Sequence, residues 1–316
     1  MIGDAIAHIY IDRHDIKPMA VKESPGFLTG KSGLRLELYA LRLALRRGHI
    51  AILNDLTNCL RYADLTLIFK GGILRFVEVK DRRVPGTQYP RDERQLQNLR
   101  DMADYVLTDK PISLYGYEDW KFHRRALRSH PVHLTREINR AIREAYTVGV
   151  VCKEVEDGLF YLVFTSLVED SRDVMLVIER DGPPVGDAML FRLSEVREWW
   201  PSYFPLMFSI RNPEHWLDIV FGGTSVWVLI TVTKLKEAFA RFNVTVEVLP
   251  PDSDWVLSLS HGQNGELGES KIGSHLMHRI VTEFVSLKWF VEEFAILPPM
   301  PDSPESLAAL GLHADE

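Results

Sequence analysis

The stretch Asp64-Leu-Thr-Leu-Ile-Phe-Lys-Gly-Gly-Ile-Leu-Arg-Phe-Val-Glu-Val-Lys80 decides how the first half of this chain is read. Two runs rich in aliphatic and aromatic residues, Tyr62–Phe69 and Ile73–Lys80, flank Lys70-Gly71-Gly72. Paired glycines between two such runs signal a β-hairpin, because they accept the positive φ angles of a tight turn. Side chains two apart in a strand share a face. Glu78 and Lys80 therefore share a face with Leu74 and Phe76, and Asp64 shares one with Tyr62, Thr66 and Ile68. Ionisable groups on otherwise apolar strand faces break the rule that core-facing positions are apolar, and the hairpin brings them to one end of a small sheet.

Working towards the N-terminus, Leu34 to Arg47 reads as a helix stopped by Gly48, followed by a short apolar strand at Ile50–Leu53. On a helical wheel Leu34, Leu38, Leu41, Ala44 and Leu45 form one face, and Glu37 falls inside it. Arg35, Arg42 and Arg46 line a neighbouring stripe. A carboxylate on a buried face needs a partner, and a cation shared with Asp64 and Glu78 supplies one. Working towards the C-terminus, a loop with Pro85, Gly86 and Pro90 precedes helical periodicity over residues 91–107. There Leu96, Leu99, Ala103, Val106 and Leu107 share a face, with Gln95 at its edge near Met102. A further helix is predicted from about Thr135 to Tyr146.

Two or three clustered carboxylates suit a hard divalent cation, which prefers oxygen ligands and keeps several waters. Such an ion acidifies a bound water and neutralises charge on a phosphoryl group in transit. A lysine beside it positions or deprotonates the attacking water and offsets developing negative charge. These parts suit phosphodiester hydrolysis.

The arrangement resembles the PD-(D/E)XK nuclease superfamily, the restriction-endonuclease-like fold. The matching residues are Gly33-Leu-Arg-Leu-Glu37, Asp64, Phe76-Val-Glu78-Val-Lys80 and the helix at 91–107, within residues 25–150. Ala63, not proline, precedes Asp64. The Phe76–Lys80 stretch, followed after a loop by Gln95, is nearest in look to the VRR-NUC and Holliday-junction-resolvase-like branches. The resemblance implies that Asp64 and Glu78 bind Mg²⁺ or Mn²⁺ and that Lys80 is the catalytic lysine. It further implies that Glu37 is an additional acidic site residue, that Gln95 supports the site or the scissile phosphate, and that the chain acts as a homodimer.

The charge distribution agrees. Residues 1–150 carry 25 Lys+Arg against 18 Asp+Glu, whereas residues 151–316 carry 12 against 26. A basic first half suits a polyanion partner. Arg82, Arg83, Arg91, Arg94, Lys121, Arg124, Arg125 and Arg128 surround the acidic cluster and are expected to track the DNA backbone, with salt-sensitive binding. The cysteine count, Cys59 and Cys152 alone, excludes a disulfide framework and a cysteine zinc site. No run approaches the roughly 18 apolar residues of a membrane span, and no signal-peptide pattern opens the chain. A cytoplasmic, membrane-free protein is expected.

In the second half, Val148–Val155, Leu159–Thr165 and Val174–Ile178 read as strands of an antiparallel meander. A hairpin is expected around Gly222-Gly223, where Asp218 and Lys234 repeat the sixteen-residue spacing of Asp64 and Lys80; Val232 stands where Glu78 stands. A helix at Lys234–Phe242, a strand at Val244–Leu249 and one long helix over Ser274–Phe294 follow, and the tail 298–316 reads as disordered.

The expected fold is α/β: an N-terminal extension (1–24), a restriction-endonuclease-like core of helix, three-stranded sheet and helix (25–150), and a second, acidic α+β domain (151–297). The expected function is that of a metal-dependent endonuclease hydrolysing DNA. Two other readings use the same residues: a nuclease-fold DNA-binding or assembly protein that does not cut, or a protein–protein interaction module whose carboxylates are ordinary ion pairs.

Overall fold

A computed structural model describes residues 2–11, 16, 33–57, 59–60, 63–69, 73–79, 97, 100–104, 112–114, 117–122, 128–168, 170–194, 206–250, 253, 255–262 and 268–296. The chain is mixed α/β with small antiparallel sheets, and it divides into two compact units. The first comprises residues 1–126 with 198–208, the second residues 127–197 with 209–316.

In the first unit, helix α1 (Ile2–Tyr10) precedes α2 (Leu34–Arg46), and strands β1 (Ile50–Leu53), β2 (Leu65–Ile68) and β3 (Leu74–Val77) form an antiparallel sheet in chain order. Gly48 at φ +77 turns the chain from α2 into β1. The pairs Ile52↔Thr66 and Ile68↔Leu74 set the register. One sheet face, with Ile52, Ile68, Leu74 and Phe76, packs into a core with Ala7 and Ile11 of α1, Ile16, Cys59, Leu60 and Met102. Met102 lies in a helical stretch, residues 100–104, within the helix expected at 91–107. The N-terminal segment is therefore part of this core; Asp4 accepts the Cys59 N–H at 2.9 Å and pins α1 there. A hairpin, β4 (Ile112–Leu114) with β5 (Tyr117–Phe122), forms where no strand was expected.

In the second unit, α3 (Thr135–Val148) leads into β6 (Val150–Glu156) and β7 (Leu159–Thr165). With β8 (Ala188–Arg192) and β9 (Thr224–Thr231) they make a sheet in the order β6-β7-β9-β8. β7 is apolar on both faces because both are covered. Phe160 and Leu162 face α4 (Ser171–Asp181) through Val174, Val177 and Ile178; α3 packs on the same strands, with Ile138, Ala141, Ile142 and Ala145 buried. A second sheet, β10 (Val244–Val248), β11 (Trp255–His261) and β12 (Glu269–Gly273), follows α6 (Val232–Ala240).

Three sequence expectations are corrected. Val174–Ile178 is helical: Asp170 accepts the Arg172 N–H at 2.8 Å and starts α4, whose apolar side covers the sheet. The hairpin at Gly222-Gly223 is absent. Asp218 lies in α5 (Pro213–Phe221), which Asn212 caps and Gly222 closes at φ +85, and the Asp218 carboxylate accepts the Tyr146 hydroxyl. The resemblance of this segment to 64–80 is therefore fortuitous. The long C-terminal helix is two, α7 (Ser274–Thr282) and α8 (Leu287–Phe294), because Phe284 takes φ +50 and residues 132–134 pair with 284–286. The tail from 297 lies outside the described residues. Among the described residues, no helix is long and apolar enough to cross a membrane.

Candidate functional site

At one end of the first unit's sheet, β1, β2 and β3 finish level with one another. Leu53 pairs with Leu65 and Leu65 with Val77. One step beyond that row stand Asn54, Asp64 and Glu78, each just outside its strand. The row is held by backbone bonds, Asn54 N–H to Asp64 O at 2.9 Å and Asp64 N–H to Val77 O at 3.2 Å. The Asp64 carboxylate accepts the Val79 N–H at 2.7 Å. Asp64 and Glu78 are both half-buried. The sequence placed these two carboxylates inside strands; they sit instead just outside the strand ends, where backbone leaves the ladder.

The geometry depends on Asn54, which the sequence reading did not single out. It is 2% exposed. Its side-chain oxygen accepts the Thr66 hydroxyl at 2.9 Å, and its amide nitrogen donates to Ala63 O at 3.4 Å. Ala63 takes φ +64, a left-handed backbone that non-glycine residues seldom adopt. Asn54 thus grips the strained residue immediately before Asp64. Strain of this kind persists only where its surroundings fix it, and it gathers at working sites. The signal was present as an Asn directly after a strand, but its meaning needed the cross-strand register.

Glu37 is buried on α2, as its place on the apolar face predicts. Its Oε1, however, lies over the first turn of its own helix, 3.1 Å from where a β-carbon on Gly33 would stand. The positive end of the helix dipole favours a carboxylate there. Among the described residues, no three His, Cys, Asp or Glu side chains converge closely enough to hold a metal ion. Asp64 and Glu78 thus lie at the same end of the sheet, and among the described residues Glu37 completes no group of three with them.

Lys80, Gln95, Arg82, Arg83, Arg91, Arg94, Arg124 and Arg125 lie outside the described residues. Lys121 belongs to β5, of which only the backbone is described. Arg128 is exposed in the second unit, its N–H held by Glu293 at 2.9 Å.

As a donor set, Asp64 and Glu78 fit a small hard cation, which takes one or two carboxylates from the protein and fills its other positions with water and phosphate oxygens. No protein-family model, no curated protein and no solved structure matches the chain.

Proposed function

We propose that the first unit is a metal-dependent nuclease that hydrolyses DNA, with Asp64 and Glu78 as the residues that hold Mg²⁺ or Mn²⁺. The observation that supports this reading is that Asp64 and Glu78 stand just beyond the paired Leu65 and Val77 at one end of the sheet, with the Asp64 carboxylate accepting the Val79 N–H. Val79 directly follows Glu78, so the bond restrains the backbone beside that carboxylate. A divalent ion held there supplies charge neutralisation and an acidified water. The chain's own work is positional. Asn54 and Ala63 set the angle at which Asp64 leaves the sheet, and Asp64 holds the backbone that follows Glu78. Lys80 orients or deprotonates the attacking water, and Gln95 supports the scissile phosphate. Arg82, Arg83, Arg91, Arg94, Lys121, Arg124 and Arg125 hold the phosphate backbone.

Incubating the purified chain with plasmid, linear and branched DNA in Mn²⁺ tests this. Cleavage lost in both Lys80→Ala and Asp64→Asn supports the enzyme. Salt-dependent DNA binding without cleavage in any divalent ion assigns the fold to binding alone. Neither binding nor cleavage leaves the carboxylates as ordinary structural groups.

A further inference from the structure

Helix α2 carries charge that nothing among the described residues answers. Its exposed face bears Arg35, Tyr39, Arg42 and Arg46, at spacings of four, three and four residues, with Arg47 exposed just beyond. Residues at such spacings lie on one side of a helix. Its one acidic residue, Glu37, is on the buried side. Among the described residues, none of these four arginines makes an ion pair or a side-chain hydrogen bond. Some exposed cations elsewhere are paired, Arg172 with Asp170, Arg180 with Asp181 and Lys288 with Glu292, while Arg136 and Arg140 on α3 are exposed without an ion pair among the described residues; the α2 stripe differs from theirs in carrying an exposed tyrosine among its arginines. Tyr39 is 64% exposed in the middle of the arginines and packs against no other ring.

Arginines repeated along one helix face repel one another and weaken the helix slightly, so the stripe is explained by what it binds. Guanidinium groups match phosphate oxygens in geometry and charge. From Arg35 to Arg46 the stripe is about 16 Å long at 1.5 Å per residue, or roughly five nucleotides of one strand at 3.4 Å each. The hydroxyl of an exposed tyrosine between phosphate-binding arginines serves as a phosphate donor on either form of DNA, but its ring has nothing to stack on in a duplex, whose bases are stacked on each other. An unpaired base, by contrast, offers a free π-face.

We infer that the exposed face of α2 binds a single-stranded segment of DNA, with the arginines on phosphates along one strand and one unpaired base stacked on Tyr39. This rests on the nucleic-acid reading of the first unit and narrows its substrate to DNA with an unpaired stretch.

Fluorescence anisotropy of the full chain with labelled oligothymidylate and with a duplex, in EDTA across a salt series, tests the inference. Single strands should bind more tightly than duplex. Arg35→Gln/Arg42→Gln/Arg46→Gln should lower affinity at least tenfold and reduce the slope of log K against log[salt] by about 2, at roughly 0.7 per phosphate lost. Tyr39→Leu should cost about tenfold and leave the slope unchanged. Replacing the three arginines by lysine should restore the slope, which separates charge from folding; all four positions are exposed, and circular dichroism should be unchanged. Stripe variants that bind like wild type overturn the inference. So does duplex binding equal to single-strand binding with Tyr39→Leu silent, or binding to anionic vesicles in place of DNA. If Lys80→Ala and wild type alike never cut but the stripe variants lose binding, the nuclease reading fails and this one stands. Cleavage that survives with unaltered binding in the stripe variants gives the reverse.

Discussion

The Asp64 carboxylate accepts the backbone N–H of Val79 at 2.7 Å, tying the residue that opens β2 to the one that follows Glu78. Hydrogen bonds to charged groups contribute about 1.5–3 kcal/mol. Asp64→Ala should therefore lower the unfolding free energy by about that amount. Asp64→Asn keeps an acceptor oxygen but not the charge, and should cost about 1 kcal/mol or less. Urea unfolding followed by tryptophan fluorescence measures both. Equal losses in the two variants would show that the bond does not hold the strand end.

Asn54 and Thr66 form a pair that can be tested as a pair. The Thr66 hydroxyl is 0% exposed and its bond to Asn54 is 2.9 Å long. Asn54→Ala strands that hydroxyl in the core and releases Ala63, at a cost of about 1–3 kcal/mol. Thr66→Val removes the donor and should cost less. The double variant should lose less than the sum of the two, with a coupling of about 0.5–3 kcal/mol. Additivity in a double-mutant cycle would refute the link.

Gly3 should respond to substitution against the usual trend. Gly→Ala in a helix ordinarily stabilises by about 1 kcal/mol. A β-carbon on Gly3 would stand 2.3 Å from Leu56 O and 2.9 Å from its carbonyl carbon. Helix α1 must then lift from the backbone of residues 54–56 and withdraw Ala7 and Ile11 from the core. Gly3→Ala should destabilise by about 1–3 kcal/mol, with faster amide exchange in α1. A raised melting temperature would mean that α1 is not docked there.

Much of the first unit was readable because local signals agree. Gly48 and Gly71-Gly72 separate the periodic segments, and the wheel of α2 put Glu37 on the apolar side. The turn of Glu37 towards Gly33 was not readable, since a wheel gives a face and no direction along it. Asn54 was missed because its partners, Ala63, Asp64 and Thr66, become neighbours only once the strands pair. Val174–Ile178 was misread because five consecutive apolar residues carry no period. Asp170, the cap, was the better clue. The break at Phe284 has neither glycine nor proline. Its cause is distant: the Leu134 N–H donates to Phe284 O, Val132 O accepts the Ser286 N–H, and Tyr161 packs edge-on against the Phe284 ring.

Arg279 and Glu283 form an ion pair at 3.0 Å with side chains only 1% and 2% exposed, and the guanidinium lies 5.0 Å from the centre of the Trp289 ring. Removing one partner leaves a charge in the core. Arg279→Met should cost about 3–5 kcal/mol, whereas Arg279→Met/Glu283→Leu should recover most of that loss. A double variant as unstable as the single one would mean that the pair is held for its hydrogen bonds rather than its charge balance.

Both thiols should be silent at neutral pH. Burial raises the Cys152 thiol from the ordinary 9.0 to about 11, with Asp181 adding to it. Burial and then Asp4 raise Cys59 further. Ellman's reagent at pH 8 should therefore find no reactive thiol in the folded chain and two in denaturant. The sign for stability follows from the same shift. The folded state holds the neutral thiol and the unfolded state ionises near 9.0, so the contribution is complete below pH 9 and is lost as pH rises towards 11. Cys152→Ala should lose less stability than wild type between pH 9 and 11. An identical decline in both, measured by urea midpoint, would show that Cys152 ionises no differently in the folded chain.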